Sequence, residues 1–358
     1  MSPKLATLLG RLRARTKRTA PALSAAAGIT VEPPRDRLDT TRLADPELLA
    51  WVGGTPAPDH TPELVAGLRA AMAEQVRTTD PDADGLPLRV STHIAPGYEG
   101  EADVRIRVVT PTGDRRDRPG ILHIHGGGFI LGSADLTLPS VRPVAAALDC
   151  IIASVDYRLA PEAPFPAGLN DCYAALAWFA AQAPALGVDA TRIAVMGESA
   201  GGGLAAALAL LARDRGGPAL AFQSLLYPML DDRTVTEVDP NPVTGQFIWN
   251  RASNRYAWET YLDAPPGSDP VSPYAAPARA SDLSRLPPAH ILVGTLDLFF
   301  DEDLEFARRL ARAAVPVALD IFPGAFHAFD MMYPAAVSKD VQARRRTRLA
   351  QALAVDLT

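Results

Sequence analysis

Ser199 stands in Gly197-Glu198-Ser199-Ala200-Gly201, directly after the apolar run "RIAVM" and directly before the alanine-rich run "AGGGLAAALALLARD". A serine forced into a tight strand-to-helix turn presents its oxygen above the sheet. The flanking glycines, Gly197 and Gly201, remove the Cβ clashes such a turn creates. The helix start adds free N–H groups and the positive end of its dipole, which favour developing negative charge. The implied chemistry is nucleophilic attack, and a serine hydroxyl attacks only when a base takes its proton. Of the six histidines, His327 in "FPGAFHAF" follows the last expected strand, at the same edge as Ser199 and later in the chain. His60, His93 and His290 read as structural or surface residues. The acid that fixes the imidazole tautomer belongs after a strand between Ser199 and His327, where "ILVGTLD" delivers Asp297. Asp301, Glu302 and Asp303 fit better as the acidic first turn of the next helix. Asp301 or Glu302 is the fallback for Asp297.

A second feature is "HIHGGGF", residues 123–129. Glycine is costly to order, so a triplet closing a strand implies that something approaches bare backbone. His123 and His125 fall on one side of that strand. His125 is expected to brace the loop through hydrogen bonds and His123 to pack within the strand. A two-histidine metal site would lack a third ligand, so neither metal nor cofactor is expected.

These residues need a scaffold. "LRVSTHIA" and "ADVRIRVVTP" alternate apolar and polar residues and read as antiparallel strands. "PGILHIHG", "CIIASVDY", "RIAVMG", "AFQSLLYPML", "AHILVGTLD" and "VALDIFP" read as buried strands separated by helical segments. Such alternation indicates parallel βαβ units in a doubly wound α/β sheet. Upstream, "TPELVAGLRAAMAEQVR" reads as a helix capped by Thr61, with Pro62 at its first position. The interval 231–282, rich in Pro, Asp, Asn and aromatics, breaks the rhythm where a lid or substrate-shaping segment would sit.

The 358 residues suffice for one large core with an appended subdomain. A formal net charge of -6 argues against nucleic acid as the main partner. Two cysteines, Cys150 and Cys172, in apolar stretches suit reduced core thiols and a cytoplasmic location. In "KLATLLGRLRARTKR", Leu5, Leu8, Leu9 and Leu12 share one helical face. A membrane-surface or targeting helix is one reading; a helix packed on the body, or a tail, is the expectation.

Taken in order, "HGGGF", "DYRLAPE", "GESAGG", "LDLFFDE" and "FHAF" resemble the bacterial hormone-sensitive-lipase-like (family IV) esterases of the α/β-hydrolase superfamily. The resemblance covers the chain from about residue 90 onward. It implies an eight-stranded, mostly parallel sheet flanked by helices, with a helical cap. It also implies a serine carboxylesterase acting on short- to medium-chain acyl esters through Ser199, His327 and Asp297. The oxyanion hole would use the N–H groups of Gly127, Gly128 and Ala200, supported by His125 and Gly126, with Gly197, Glu198 and Gly201 forming the elbow. The cap would draw on residues 1–85 and 231–270, leaving 86–230 and 271–358 as the catalytic core. Phe129, Phe247, Trp249 and Trp258 could line a substrate pocket or serve as local core. Leu298 and Ala163 depart from the family's usual residues and bear on substrate shape. The expected partner is a small-molecule ester, with homodimerisation left open. An amidase or deformylase, a membrane-associated lipase and a non-catalytic binding protein are the competing functions.

Overall fold

The computed structural model describes residues 38–80, 82–238 and 240–357. The amphipathic segment around Leu5, Leu8, Leu9 and Leu12 lies outside the described residues.

Eight strands form one sheet: β1 Leu88–Ala95, β2 Val104–Pro111, β3 Arg118–Ile124, β4 Ile151–Asp156, β5 Val188–Glu198, β6 Phe222–Leu226, β7 Ala289–Gly294 and β8 Val317–Phe322. Their order is β1-β2-β4-β3-β5-β6-β7-β8. β1 pairs antiparallel with β2 and β2 with β4, and the remaining pairs are parallel. The first two strands alternate in sequence because one of their faces is only partly covered. β3, β4, β6 and β7 are buried along nearly their whole length because helices cover both of their faces.

Side-chain alternation divides the core into layers. Leu122, Ile124 and Val195 face α4 (Ala167–Ala181), α6 (Ala200–Arg215) and α8 (Phe300–Arg312). Ile121, Ile152 and Met196 face α3 (Ala134–Ala147) and α9 (Ala336–Leu353). Residues 200–212 of α6 are buried on every side, which explains a helix written almost wholly in Ala, Gly and Leu.

Before the sheet come α1 (Pro46–Val52) and α2 (Pro62–Thr78). The Thr61 hydroxyl accepts from Leu64 N at 3.2 Å, and Leu64 is buried beneath. α5 is a single turn, Ala183–Leu186. In the 231–282 interval the main helix is α7, Arg251–Leu262, whose N-cap Asn250 accepts from Ser253 N at 2.8 Å. Phe247 and Trp249 therefore precede the helix and are buried in the turn that enters it.

The sequence reading assigned no element to α9. Its buried positions are Ser338, Val341, Arg345, Leu349, Ala350 and Leu353. Ser338 and Arg345 interrupt the apolar spacing in the first part of the helix.

Candidate active site

β5 ends at Glu198 and α6 begins at Ala200, so Ser199 alone makes the turn. It does so at φ 55° and ψ -122°, a conformation that costs about 1–3 kcal/mol and persists only when the surroundings impose it. They do so by close contact. A Cβ on Gly201 would lie 2.1 Å from the Ile124 carbonyl oxygen, and one on Gly197 would lie 2.2 Å from that of Gly201. Only glycine fits at either position. The head of α6 is thus pressed against the end of β3 and the start of the glycine loop.

Asp297 follows β7 and His327 follows β8, at the same edge of the sheet as Ser199. His327 Nε2 is 2.9 Å from Ser199 Oγ, and His327 Nδ1 is 2.9 Å from Asp297 Oδ2. An Nδ1–H donated to the carboxylate leaves the Nε2 lone pair facing the serine hydroxyl. Phe299 N donates to Asp297 Oδ1 at 3.0 Å, fixing the carboxylate from behind. The Tyr227 ring, 4.6 Å away, and the Phe299 ring, 5.2 Å away edge-on, flank the imidazole. All three polar residues are buried, Asp297 completely.

The glycine loop crosses in front of this group. A Cβ on Gly126 would stand 3.4 Å from Ser199 Cβ, and Gly127 and Gly128 adopt φ 125° and 60°. Among the described residues, none accepts from the N–H groups of Gly127, Gly128 or Ala200. His125 Nδ1 donates to the Gly126 carbonyl at 2.8 Å, while its ring stacks on Tyr157 at 4.2 Å. Burial lowers its pKa to about 4, which keeps it neutral at pH 7. Tyr157 Oη donates to the His125 carbonyl at 2.9 Å, so the loop's first residue is held from both sides.

Other neighbours of the site were not read from the sequence. His123 is buried, as a packed strand residue would be, but it is also wired to the elbow. Its Nδ1 lies 2.8 Å from Ser154 Oγ and its Nε2 lies 2.9 Å from Glu198 Oε2. Arg345 of α9 donates to Glu198 Oε1 at 2.6 Å and to Ser224 Oγ at 3.2 Å. Burial works to raise the Glu198 carboxyl, but the facing His123 and Arg345 outweigh it and hold the pKa at about 2. Behind His327, Tyr227 Oη donates to Asp330. Asp330 is buried, and that burial raises its pKa to about 6 against the lowering effect of the Tyr227 bond.

The fallback acids lie elsewhere. Asp301 accepts from Asn241 Nδ2 at 3.0 Å. Glu302 accepts from Leu230 N at 2.7 Å and from the Thr234 hydroxyl. Asp303 is fully buried, and neither carboxylate oxygen has a partner among the described residues. Burial first, then Glu302 and Asp297, push its carboxyl well above the usual range.

Of the remaining histidines, His290 is buried against Asp320 at 2.8 Å and His93 lies 3.0 Å from Ser91 Oγ. His60 Nδ1 is 2.7 Å from Ser253 Oγ of α7, and its ring is 4.9 Å from that of Trp249. Phe129, Phe247, Trp249 and Trp258 are all buried. The Trp249 ring covers Gly128, standing 2.5 Å from where a Cβ would be. Phe247 packs on Phe326, beside His327, at 4.9 Å.

The buried series Asp297–His327–Ser199, at the carboxyl edge of a mostly parallel sheet, is the layout of a serine hydrolase of the α/β type. Residues 121–331 match the family described as alpha/beta hydrolase fold, and the chain belongs to the hormone-sensitive-lipase-like family of α/β hydrolases. It is similar to the esterase LipI of Mycobacterium tuberculosis, with 40% identity over 64% of this chain and 71% of that protein. It is equally similar, at 40%, to the carboxylesterase NlhH of the same organism, over 67% of this chain and 76% of the other. Among solved structures, a bacterial heroin esterase superposes with a TM-score of 0.81 at 40% identity, covering 88% of this chain and 99% of that one.

Proposed function

We propose that this chain is a serine carboxylesterase for small-molecule esters with short- to medium-chain acyl groups. Ser199 is the nucleophile, His327 the general base and then acid, and Asp297 the group that orients it. The observation that carries the reading is the unbroken hydrogen-bond series from Asp297 through His327 to Ser199. The esterase names of the relatives support carboxylic esters as the substrate class.

His327 Nε2 takes the Ser199 proton as Oγ attacks the ester carbonyl. The oxyanion then accepts from the N–H groups of Gly127, Gly128 and Ala200, each donor contributing about 3–4 kcal/mol to the transition state. His327 returns the proton to the leaving alcohol, and water hydrolyses the acyl-enzyme by the same steps in reverse order. His125 and Gly126 hold the loop, while Gly197, Glu198 and Gly201 hold the elbow.

The cap belongs to the same proposal: residues 1–85 and 231–270 over a core of 86–230 and 271–358. Its support is the seam between the two parts. Asn250 Nδ2 donates to the Ala57 carbonyl at 3.0 Å and to Asp59 at 2.8 Å. Ser253 Oγ donates to the Pro58 carbonyl at 3.1 Å. The Trp249 ring covers Gly128 and the Trp258 ring lies 5.3 Å from that of Phe129, which favours small acyl groups. Cytoplasmic residence is also proposed, and the buried, free thiols of Cys150 and Cys172 suit a reducing compartment. Whether two copies associate is read by sedimentation at micromolar concentration.

A fluorophosphonate probe followed by peptide mapping tests the assignment: one adduct is expected, on Ser199, with loss of turnover on 4-nitrophenyl esters. In an acyl series from C2 to C12, kcat/KM should fall steeply beyond medium length. An adduct elsewhere, or a flat series, would count against the respective part.

A further inference from the structure

The inward face of α7 carries Asn254, Trp258 and Tyr261 at helical spacing i, i+4, i+7. They are 0%, 0% and 2% exposed. Asn254 Nδ2, Trp258 Nε1 and Tyr261 Oη have no hydrogen-bond partner among the described residues. The free end of Asn254 is its NH2 group, because Trp249 Nε1 donates to Oδ1 at 3.1 Å and so requires an acceptor there. Leaving a buried donor unpaired costs about 1–3 kcal/mol, and most buried polar groups find a partner. Three such groups on one face of one helix form a built feature.

That face looks onto the glycine loop. Ala257 Cβ lies 3.4 Å from where a Gly128 Cβ would be. The Phe129 ring stacks on Tyr261 at 3.9 Å and lies 5.3 Å from Trp258. The unpaired groups of Asn254 and Trp258 are donors and the Tyr261 hydroxyl can also donate, and the face holds no cation. Arg251 and Arg255 of the same helix instead donate to the carbonyls of Glu237 and Val235. Arg69, which reaches the end of the loop, is held by the Ile130 and Ala160 carbonyls and by Glu162. A carboxylate buried here would lack a counter-charge. Neutral acceptor oxygens fit.

We propose that Asn254, Trp258 and Tyr261 form a polar subsite of the ester site, selecting substrates that carry a neutral oxygen acceptor (ether, carbonyl or hydroxyl) near the scissile ester. The proposal rests on the esterase reading above. The acceptor sits on either the acyl or the alcohol part of the ester, and matched substrates distinguish the two.

The test compares kcat/KM for isosteric pairs that differ by one oxygen in place of one CH2. On the acyl side the pair is 4-nitrophenyl methoxyacetate and 4-nitrophenyl butyrate; on the alcohol side it is 2-methoxyethyl acetate and n-butyl acetate. Intrinsic reactivity cancels when the oxygen-to-methylene ratio of each variant is divided by that of the wild type. In Tyr261→Phe and Trp258→Phe this ratio is expected to drop roughly 3- to 10-fold in one of the two pairs, the worth of a hydrogen bond. Glu259→Gln, on the exposed face of α7, should leave it unchanged. The affected pair identifies the part of the ester bound. Unchanged ratios in both variants for both pairs would overturn the subsite while leaving the esterase reading intact. A wild-type protein that hydrolyses none of the four esters would remove both. Tyr261→Phe also has a stability readout: its melting temperature should stay within a few degrees, since no internal bond is lost. A large fall with an unchanged ratio would make the hydroxyl structural and defeat the proposal.

Discussion

Ser199, Asp297 and His327 could be singled out because each follows a recognisable strand and each residue type has a chemical task there. Their neighbours could not, because a buried partnership between distant residues leaves no local pattern. Asp303 illustrates this. In the sequence it is one of three acids opening a helix, where a negative charge is favourable. In the structure it is sealed from solvent with both oxygens unpartnered. Its folded pKa lies above its unfolded one, so the folded state binds more protons and stability falls as pH rises above about 4. Asp303→Leu, which keeps the branched shape, is expected to raise unfolding free energy by about 1–3 kcal/mol at pH 8. The gain should shrink towards pH 4, as read from denaturant melts at both values.

At the scale of elements, the sheet was legible from alternating and continuous apolar runs, and the helices around it from their spacing and caps. α9 escaped because the polar Ser338 and Arg345 occupy buried positions and interrupt the apolar spacing of Val341, Leu349 and Leu353. This helix ties to the nucleophile turn through Arg345 and Glu198 at 2.6 Å, with the Arg345 side chain only 4% exposed. Breaking a buried ion pair costs about 3–5 kcal/mol when the remaining charge is left uncompensated, but His123 still faces Glu198 here. Arg345→Met is therefore expected to destabilise the fold by less than that at pH 7, measured by urea unfolding. The pH response follows from the depressed Glu198 pKa of about 2. Its stabilisation is present above the ordinary carboxylate range and lost as pH falls through about 2. In Arg345→Met the folded pKa moves back towards the unfolded one, so that acid loss should be smaller and complete at a higher pH.

Across the whole molecule, the described part of the N-terminal segment is bound to the insertion that holds α7. The sequence hinted at both pieces through broken rhythm and aromatic content, but not at their contact, since Pro58 and His60 meet Ser253 across 195 and 193 residues of chain. His60 sits at that seam with its pKa lowered to about 4 by burial, against the raising effect of Asp59. A base with a depressed folded pKa loses stability as pH falls from its unfolded value, about 6.5, towards 4. His60→Gln keeps a polar group at Ser253 without a titration. The difference in melting temperature between pH 7.5 and pH 5 should be smaller in this variant than in the wild type. An equal difference would place the acid sensitivity elsewhere, with buried His125 the next residue to examine.

The central claim is that Ser199 performs the chemistry, and the most direct measurement is the turnover of Ser199→Ala on 4-nitrophenyl butyrate with folding verified by circular dichroism. Removing a nucleophile of this kind costs about 10⁶-fold in kcat, so a folded variant with activity at least 10⁴-fold below wild type is the expected result. A folded Ser199→Ala that retains wild-type turnover would contradict the account.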